Sequence, residues 1–218
     1  MQTPSTAQDL QKYCETLEAE FSLIPDDRKE NLQKISAFLK EKSQAKQTAR
    51  LMFICTHNSR RSQFAQVWAG LASQYYQVAN TAFFSGGTEA TACNPRTVSA
   101  LQRAGVQITK VNEISAPITV ANNPRYETIL NIGKDRQVLY LFSKKYNEEG
   151  NPTEDFCAVL VCSQADESCP VVRGAKTRVY HGYEDPKKSD GSSEEAQTYD
   201  ETCRLIAREM FYVFSQAR

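Results

Sequence analysis

The chain carries no net charge: 26 Lys and Arg balance 26 Asp and Glu over 218 residues. That excludes the global basic field which gathers nucleic acid or an anionic membrane. No apolar run reaches the ~18 residues of a membrane span, and Met1-Gln2-Thr3-Pro4-Ser5 has neither the basic nor the apolar stretch of an export leader. These absences predict a soluble, cytoplasmic protein. Histidine is scarce, with two residues in all. The seven cysteines (14, 55, 93, 157, 162, 169 and 203) are odd in number and come without an export signal, which argues against a disulfide framework. Nucleophilic or redox use is the better question.

What is present is concentrated in Leu51-Met52-Phe53-Ile54-Cys55-Thr56-His57-Asn58-Ser59-Arg60-Arg61-Ser62. An apolar strand runs into Cys55, and Arg61 follows where a helix begins. A loop entering a helix N-terminus offers unpaired N–H groups and partial positive charge, so residues 56–62 read as a nest for a tetrahedral oxyanion. The same field favours a thiolate at Cys55, and Arg61 can add a planar two-toothed clamp. Spacing alone proves little, because 7 Cys and 13 Arg in 218 residues make about 0.4 chance Cys-x5-Arg matches. Context carries the weight: Leu51, Phe53 and Ile54 read as a buried parallel strand, and Phe64, Val67, Trp68, Leu71 and Tyr75 recur at helical spacing. Without that context, a core cysteine beside a surface arginine would be the simpler reading.

Residues 1–48 look like a separate extension. Leu10, Tyr13, Leu17 and Phe21, then Leu32, Ile35, Phe38 and Leu39, fall at helical intervals around a turn at Pro25-Asp26-Asp27. This predicts a helical hairpin packed on the main domain, dispensable for the chemistry; a flexible tail would leave those stripes unburied. Residues 49–218 alternate strand and helix: strands at 51–54, 78–85, 157–162 and 177–180, helices after the first two, and a last helix with Tyr199, Cys203, Ile206, Met210, Val213 and Phe214 inward, opened by a capping box at Ser192-Ser193-Glu194-Glu195. The expected fold is α/β, a four-stranded parallel open sheet flanked by helices. Between about 117 and 155, two alternating segments around Gly133-Lys134-Asp135 read as an inserted β-hairpin, whether a lid, a partner surface or decoration.

Ligands collect at the carboxyl ends of strands in such sheets. Cys55 ends the first strand and Cys162 the third, so neighbouring strands would bring both thiols to one edge. Cys169 lies seven residues further on, a rise of ~10.5 Å on an intact helix, so a Cys162–Cys169 bridge requires that segment to bend. Pro170 and the lack of an apolar stripe suggest a movable loop. Zinc is a poor fit, because a six-residue gap without a nearby His matches no usual spacing; two unreactive buried cysteines is the plain alternative. Asp185, in Tyr183-Glu184-Asp185-Pro186 after the fourth strand, sits on the same rim and could protonate a departing oxygen, though Asp-Pro is also an ordinary turn.

Taken in order, Cys55 to Ser62, Ser85-Gly86-Gly87-Thr88-Glu89, Asn94-Pro95, Cys162 to Pro170 and Tyr183 to Pro186 resemble the signature segments of the low-molecular-weight protein tyrosine phosphatase superfamily, most of all its thioredoxin-coupled arsenate reductase branch. The resemblance covers about 50–216, apart from 117–155. It implies that Thr56, His57, Asn58, Ser59, Arg60, Arg61 and Ser62 hold the oxyanion while Cys55 attacks arsenate and Asp185 protonates the leaving oxygen. It implies further that Cys162 displaces arsenite, that Cys169 resolves the resulting disulfide, and that thioredoxin or a similar dithiol, rather than a bound cofactor, restores the thiols. Asn58 and Ser62 would brace the loop and bond the Cys55 sulfur. The chain departs from the pattern at Arg60, where many reductases have a further cysteine, and at His57, where they have glycine and unusual backbone angles are expected. Lys187-Lys188 stand where phosphotyrosine-selective members place aromatic residues. The alternatives are phosphomonoester hydrolysis through a Cys55 phosphoenzyme, acting on phosphoprotein, and a non-catalytic phosphate-binding module.

Overall fold

The computed structural model describes residues 7–111, 122–132 and 135–218. Leu51, Met52, Phe53 and Ile54 have no exposed surface, because strand β1 (Ala49–Cys55) is the inside of a sheet covered on both faces. Its neighbours are β2 (Thr81–Gly87) and β6 (Phe156–Leu160), and β7 (Ala175–Tyr180) lies beyond β6, all parallel in the order β2-β1-β6-β7. The expected four-stranded parallel sheet flanked by helices is therefore the one observed. The expected second strand begins three residues later, since Gln77 and Asn80 take left-handed backbone angles and Val78 N is bonded back to Ser73 O of the preceding helix (3.0 Å).

Helices α3 (Arg61–Tyr75), α4 (Pro95–Arg103) and α6 (Glu195–Ala217) pack together, with Phe64, Val67, Trp68, Leu71, Tyr199, Ile206, Met210 and Phe214 fully buried. In the α6 capping turn, Glu195 accepts from Gly191 N at 2.6 Å and Ser192 from Glu194 N at 3.2 Å, so helix starts at Glu195 rather than within the serine pair. The extension forms α1 (Ala7–Glu18), a 3-10 turn at Phe21–Leu23 and α2 (Asp26–Gln44). Their stripes belong to the same apolar core: Leu10, Leu17, Leu32, Ile35, Phe38 and Leu39 are buried, and Tyr13 stacks on Trp68 with centroids 5.4 Å apart.

The insert differs from expectation. The hairpin is present as β4 (Arg125–Ile132) and β5 (Asp135–Leu141), but β3 (Gln107–Val111) pairs with the other edge of β4, making a three-stranded antiparallel sheet. Strand β3 escaped sequence reading because it is an edge with one buried residue, Ile108, in five. Residues 117–121, at the start of the expected insert, and the turn residues Gly133 and Lys134 lie outside the described residues. A second difference is the Cys162–Cys169 segment, read as a movable loop. It is a short helix, α5 (Ser163–Ser168), with Cys162 as N-cap accepting from Ala165 N at 3.4 Å and Cys169 as C-cap.

Candidate active site

The loop between β1 and α3 owes its shape to where its carbonyls go. Cys55 O accepts from Thr88 N (3.1 Å), Thr56 O from Glu89 N (2.8 Å), and His57 O from Ser143 Oγ (2.8 Å) and Thr91 Oγ1 (3.2 Å). Asn58 O accepts from Gln63 Nε2 (2.8 Å), Ser59 O from Asn94 N (3.1 Å) and Arg60 O from Phe64 N (3.0 Å). All six are thus turned into surrounding protein. In a trans peptide the N–H of the next residue points opposite the carbonyl, and no cis bond occurs among the described residues, so the N–H groups of 56–61 are directed to the inner side. Inward N–H groups of this kind are the form an anion nest takes, and here every carbonyl is satisfied elsewhere. Gly87 is needed for it: a Cβ there would lie 2.6 Å from Thr56 O and 2.9 Å from Asn58 N.

Cys55 is 3% exposed, and its Sγ lies 3.1 Å from Ser62 Oγ, which accepts from Asn58 Nδ2 at 2.9 Å. This is the bracing expected of Asn58 and Ser62. The left-handed residue of the loop is Asn58 (φ 46°), not His57. Asparagine tolerates that region because its short polar side chain bonds locally, and Asn58 Oδ1 also accepts from Lys144 N at 3.0 Å. His57, released from any backbone demand, points a half-exposed ring at Glu89, 3.7 Å away.

In the expected oxyanion set, the side chains of Thr56, Ser59 and Arg60 are engaged elsewhere, which leaves their backbone N–H groups as what they offer a guest. Thr56 Oγ1 faces Gln164 Oε1 (3.2 Å) and Cys162 Sγ (3.5 Å), and Ser59 Oγ donates to Ala92 O (2.6 Å). Arg60 Nε donates to Tyr199 Oη at 2.8 Å. Arg61 Nη1 donates to Tyr183 O (2.9 Å) and Nη2 to Asp185 Oδ2 (2.6 Å), while its buried Nε has no partner. Cys55, His57, Ser59, Arg60, Arg61 and Asp185 together line a cup that admits no water-sized sphere in this arrangement. The guanidinium expected to clamp an oxyanion is here held by the acid, so a guest must compete with the Asp185 carboxylate for it. A wider cleft, lined by Gln74, Gln77, Asn80 and Gln137, lies at the opposite, amino end of the strands.

Register places Ile54 beside Leu160, and Val161 N donates to Ile54 O (2.8 Å), so Cys55 and Cys162 leave adjacent strands at the same edge. A lateral step of ~4.8 Å and one residue of rise give a Cα separation of roughly 6 Å, within disulfide range. Cys169 is held apart by α5, which Arg178 fastens: its Nε donates to Cys169 O (3.1 Å) and its Nη2 to Asp166 O (3.0 Å) and the Asp166 carboxylate. All seven cysteines are free and buried. Burial pushes the thiols of Cys93, Cys157 and Cys203 up to about 12, and Cys14 higher still. Those four are packing residues.

Sequence reading missed the insert's part in the site. Phe142 O accepts from Gln63, Ser143 Oγ donates to His57 O, and Lys144 N donates to Asn58, so the segment that follows β5 braces the loop. Nothing in Phe142-Ser143-Lys144 signals this, since two of the three bonds are made by backbone atoms, which any residue has.

No family model matches the chain. It is 28% identical over 145 residues to an arsenate reductase of Halalkalibacterium halodurans, spanning 66% of this chain and 79% of that protein. An arsenate reductase of Oceanobacillus iheyensis is 27% identical over 167 residues, 76% of this chain and 94% of that one. Among solved structures, an arsenate reductase in the phosphate binding state aligns with a TM-score of 0.47 at 15% identity, covering 78% of this chain and 100% of that one. In sequence, then, the chain is similar to bacterial arsenate reductases, at 27–28% identity over most of each protein's length.

Proposed function

We propose that the chain reduces arsenate to arsenite by a three-thiol relay. The carrying observation is the exit of Cys55 and Cys162 from adjacent strands, with Cys162 Sγ 3.5 Å from the hydroxyl of Thr56, the residue after Cys55. Arsenate enters the amide nest, and the Cys55 thiolate forms a sulfur–arsenic(V) bond as one oxygen departs as water, protonated from Asp185. The Cys162 thiolate then attacks the Cys55 sulfur. A disulfide forms, the sulfur–arsenic electron pair stays on arsenic, and arsenite leaves. Cys169 attacks Cys162 in turn, α5 unwinds to let the new bridge close, and Cys55 departs as thiolate. An external dithiol, thioredoxin or one like it, reduces the Cys162–Cys169 bridge.

The test is mass spectrometry of cysteine states after arsenate exposure without reductant. A Cys162–Cys169 bridge is expected, and its absence refutes the relay. A second reading, hydrolysis of phosphomonoesters through Cys55, rests on the Arg61–Asp185 contact and needs neither later cysteine. In the Cys162→Ser/Cys169→Ser variant, aryl phosphate turnover should survive while arsenate reduction stops; loss of both activities counts against this second reading.

A further inference from the structure

Helix α2 lies outside every motif of the site, yet its Arg28 reaches the segment that carries the acid. Arg28 Nε and Nη2 clamp Glu209 of α6 at 2.6 and 2.8 Å, and Nη1 donates to Gly182 O at 3.0 Å. Nη2 also lies 2.9 Å from His181 Nε2, and the guanidinium sits 5.1 Å from the centroid of the Tyr183 ring. The cluster is enclosed: side-chain exposure is 0% for Glu209 and 1% for His181, which are 2.8 Å apart. Burial alone would raise the Glu209 pKa, but the bonds from Arg28 and His181 outweigh it and hold the group at about 2.

The same segment contacts Arg61. His181 N donates to Leu160 O (2.9 Å) and Tyr183 N to Val161 O (3.1 Å), which ties the backbone of 181–183 to the end of β6, while Gly182 O, Tyr183 O and the Asp185 carboxylate meet side chains. Arg28 holds it from one side, while Tyr183 O and Asp185 Oδ2 hold the Arg61 guanidinium on the other. Two arginines, one from the extension and one from the oxyanion loop, thus grip a single five-residue turn.

We propose that the N-terminal helical pair is a working part of the active site: Arg28 is a positioning residue that sets the 181–185 turn, and through it the aim of Arg61 and Asp185. The inference rests on the oxyanion-site reading of Cys55, Arg61 and Asp185. It contradicts the view that the extension is dispensable for chemistry.

The test uses the full chain as wild type, Arg28→Lys, Arg28→Met and Arg28→Met/Glu209→Gln; the double variant removes the carboxylate charge that Arg28→Met strands in the core. One readout needs no turnover: the rate of iodoacetamide alkylation at Cys55 against rising inorganic phosphate. The other is the ratio of turnover of phenyl phosphate to p-nitrophenyl phosphate, because the more basic phenolate depends more on a placed acid. Phosphate should protect Cys55 in the wild type, with protection weakened about tenfold in both methionine variants and less in Arg28→Lys. The substrate ratio should fall about tenfold, the scale of loss from a displaced catalytic group. A purely structural role would lower both substrates by the same factor. Unchanged protection and an unchanged ratio in the folded double variant overturn the proposal. Absence of phosphate protection in the wild type overturns the oxyanion-site reading itself, and the positioning role with it.

Discussion

Replacing Asn58 by alanine removes a side chain that bonds both Ser62, the partner of the Cys55 sulfur, and Lys144 of the insert. Three losses add. An alanine at φ 46° meets the left-handed penalty that asparagine largely avoids, about 1 kcal/mol. The Lys144 N–H, in a residue 6% exposed, loses its acceptor, and a stranded buried donor costs about 1–3 kcal/mol. Ser62 Oγ loses the bond from Nδ2, about 1 kcal/mol more. The sum is roughly 3–5 kcal/mol. With a urea slope of about 2 kcal/mol/M, the unfolding midpoint should drop by about 1.5–2.5 M. Trp68, the single tryptophan, is fully buried against Tyr13 and reports the transition by fluorescence. Ser62→Ala breaks the same Asn58–Ser62 bond, so the double variant should be about 1 kcal/mol less unstable than the two single losses added. A midpoint shift under about 0.5 M for Asn58→Ala, or strict additivity with Ser62→Ala, would refute this account of the loop.

Asp185→Asn removes the anion that competes for Arg61, so phosphate should protect Cys55 from alkylation several-fold better while aryl phosphate turnover falls by about 100-fold or more; weaker protection would show that Asp185 is not a competitor. Arg178→Met releases Asp166 and the Cys169 carbonyl, and should speed diamide-driven closure of the Cys162–Cys169 bridge several-fold in peptide mapping, whereas an unchanged rate would mean α5 is not held by this arginine. Alkaline stability should fall steeply above pH 9. The folded-state pKa values of Cys93, Cys157 and Cys203 are raised to about 12 and that of Cys14 higher, so each keeps its proton folded and releases it unfolded, a loss of about 1.4 kcal/mol per pH unit each. Lys144, lowered to about 8 chiefly by burial, runs the other way up to its unfolded value and offsets one of the four. Urea midpoints from pH 8 to 10.5 measure the slope, and Cys93→Ala should flatten it by one group's share.

Much of the architecture could be read without coordinates. The four parallel strands, the buried stripes of α3 and α6 and both helices of the extension carry period and apolarity in consecutive residues, and each such element must bury its own face. Cys55, Asn58, Ser62, Arg61 and Asp185 could be singled out as candidates because they cluster in short ordered segments, and the structure brings them together. Strand β3 was not, since an edge strand with one buried residue has no periodic signal. Helix α5 was hidden by its six-residue length, too short to show a stripe.

The local chain thus determined which groups could do chemistry and which strand ends present them, because strand-to-helix entry and residue type are properties of neighbours in sequence. Only the tertiary structure decided what holds them. The left-handed Asn58 has its side chain bonded by Lys144, 86 positions away. Arg61 is aimed by a turn that Arg28 anchors across a sequence separation of 154 to Gly182. Such contacts depend on backbone carbonyls and amides brought together by packing, and those groups are identical at nearly every residue.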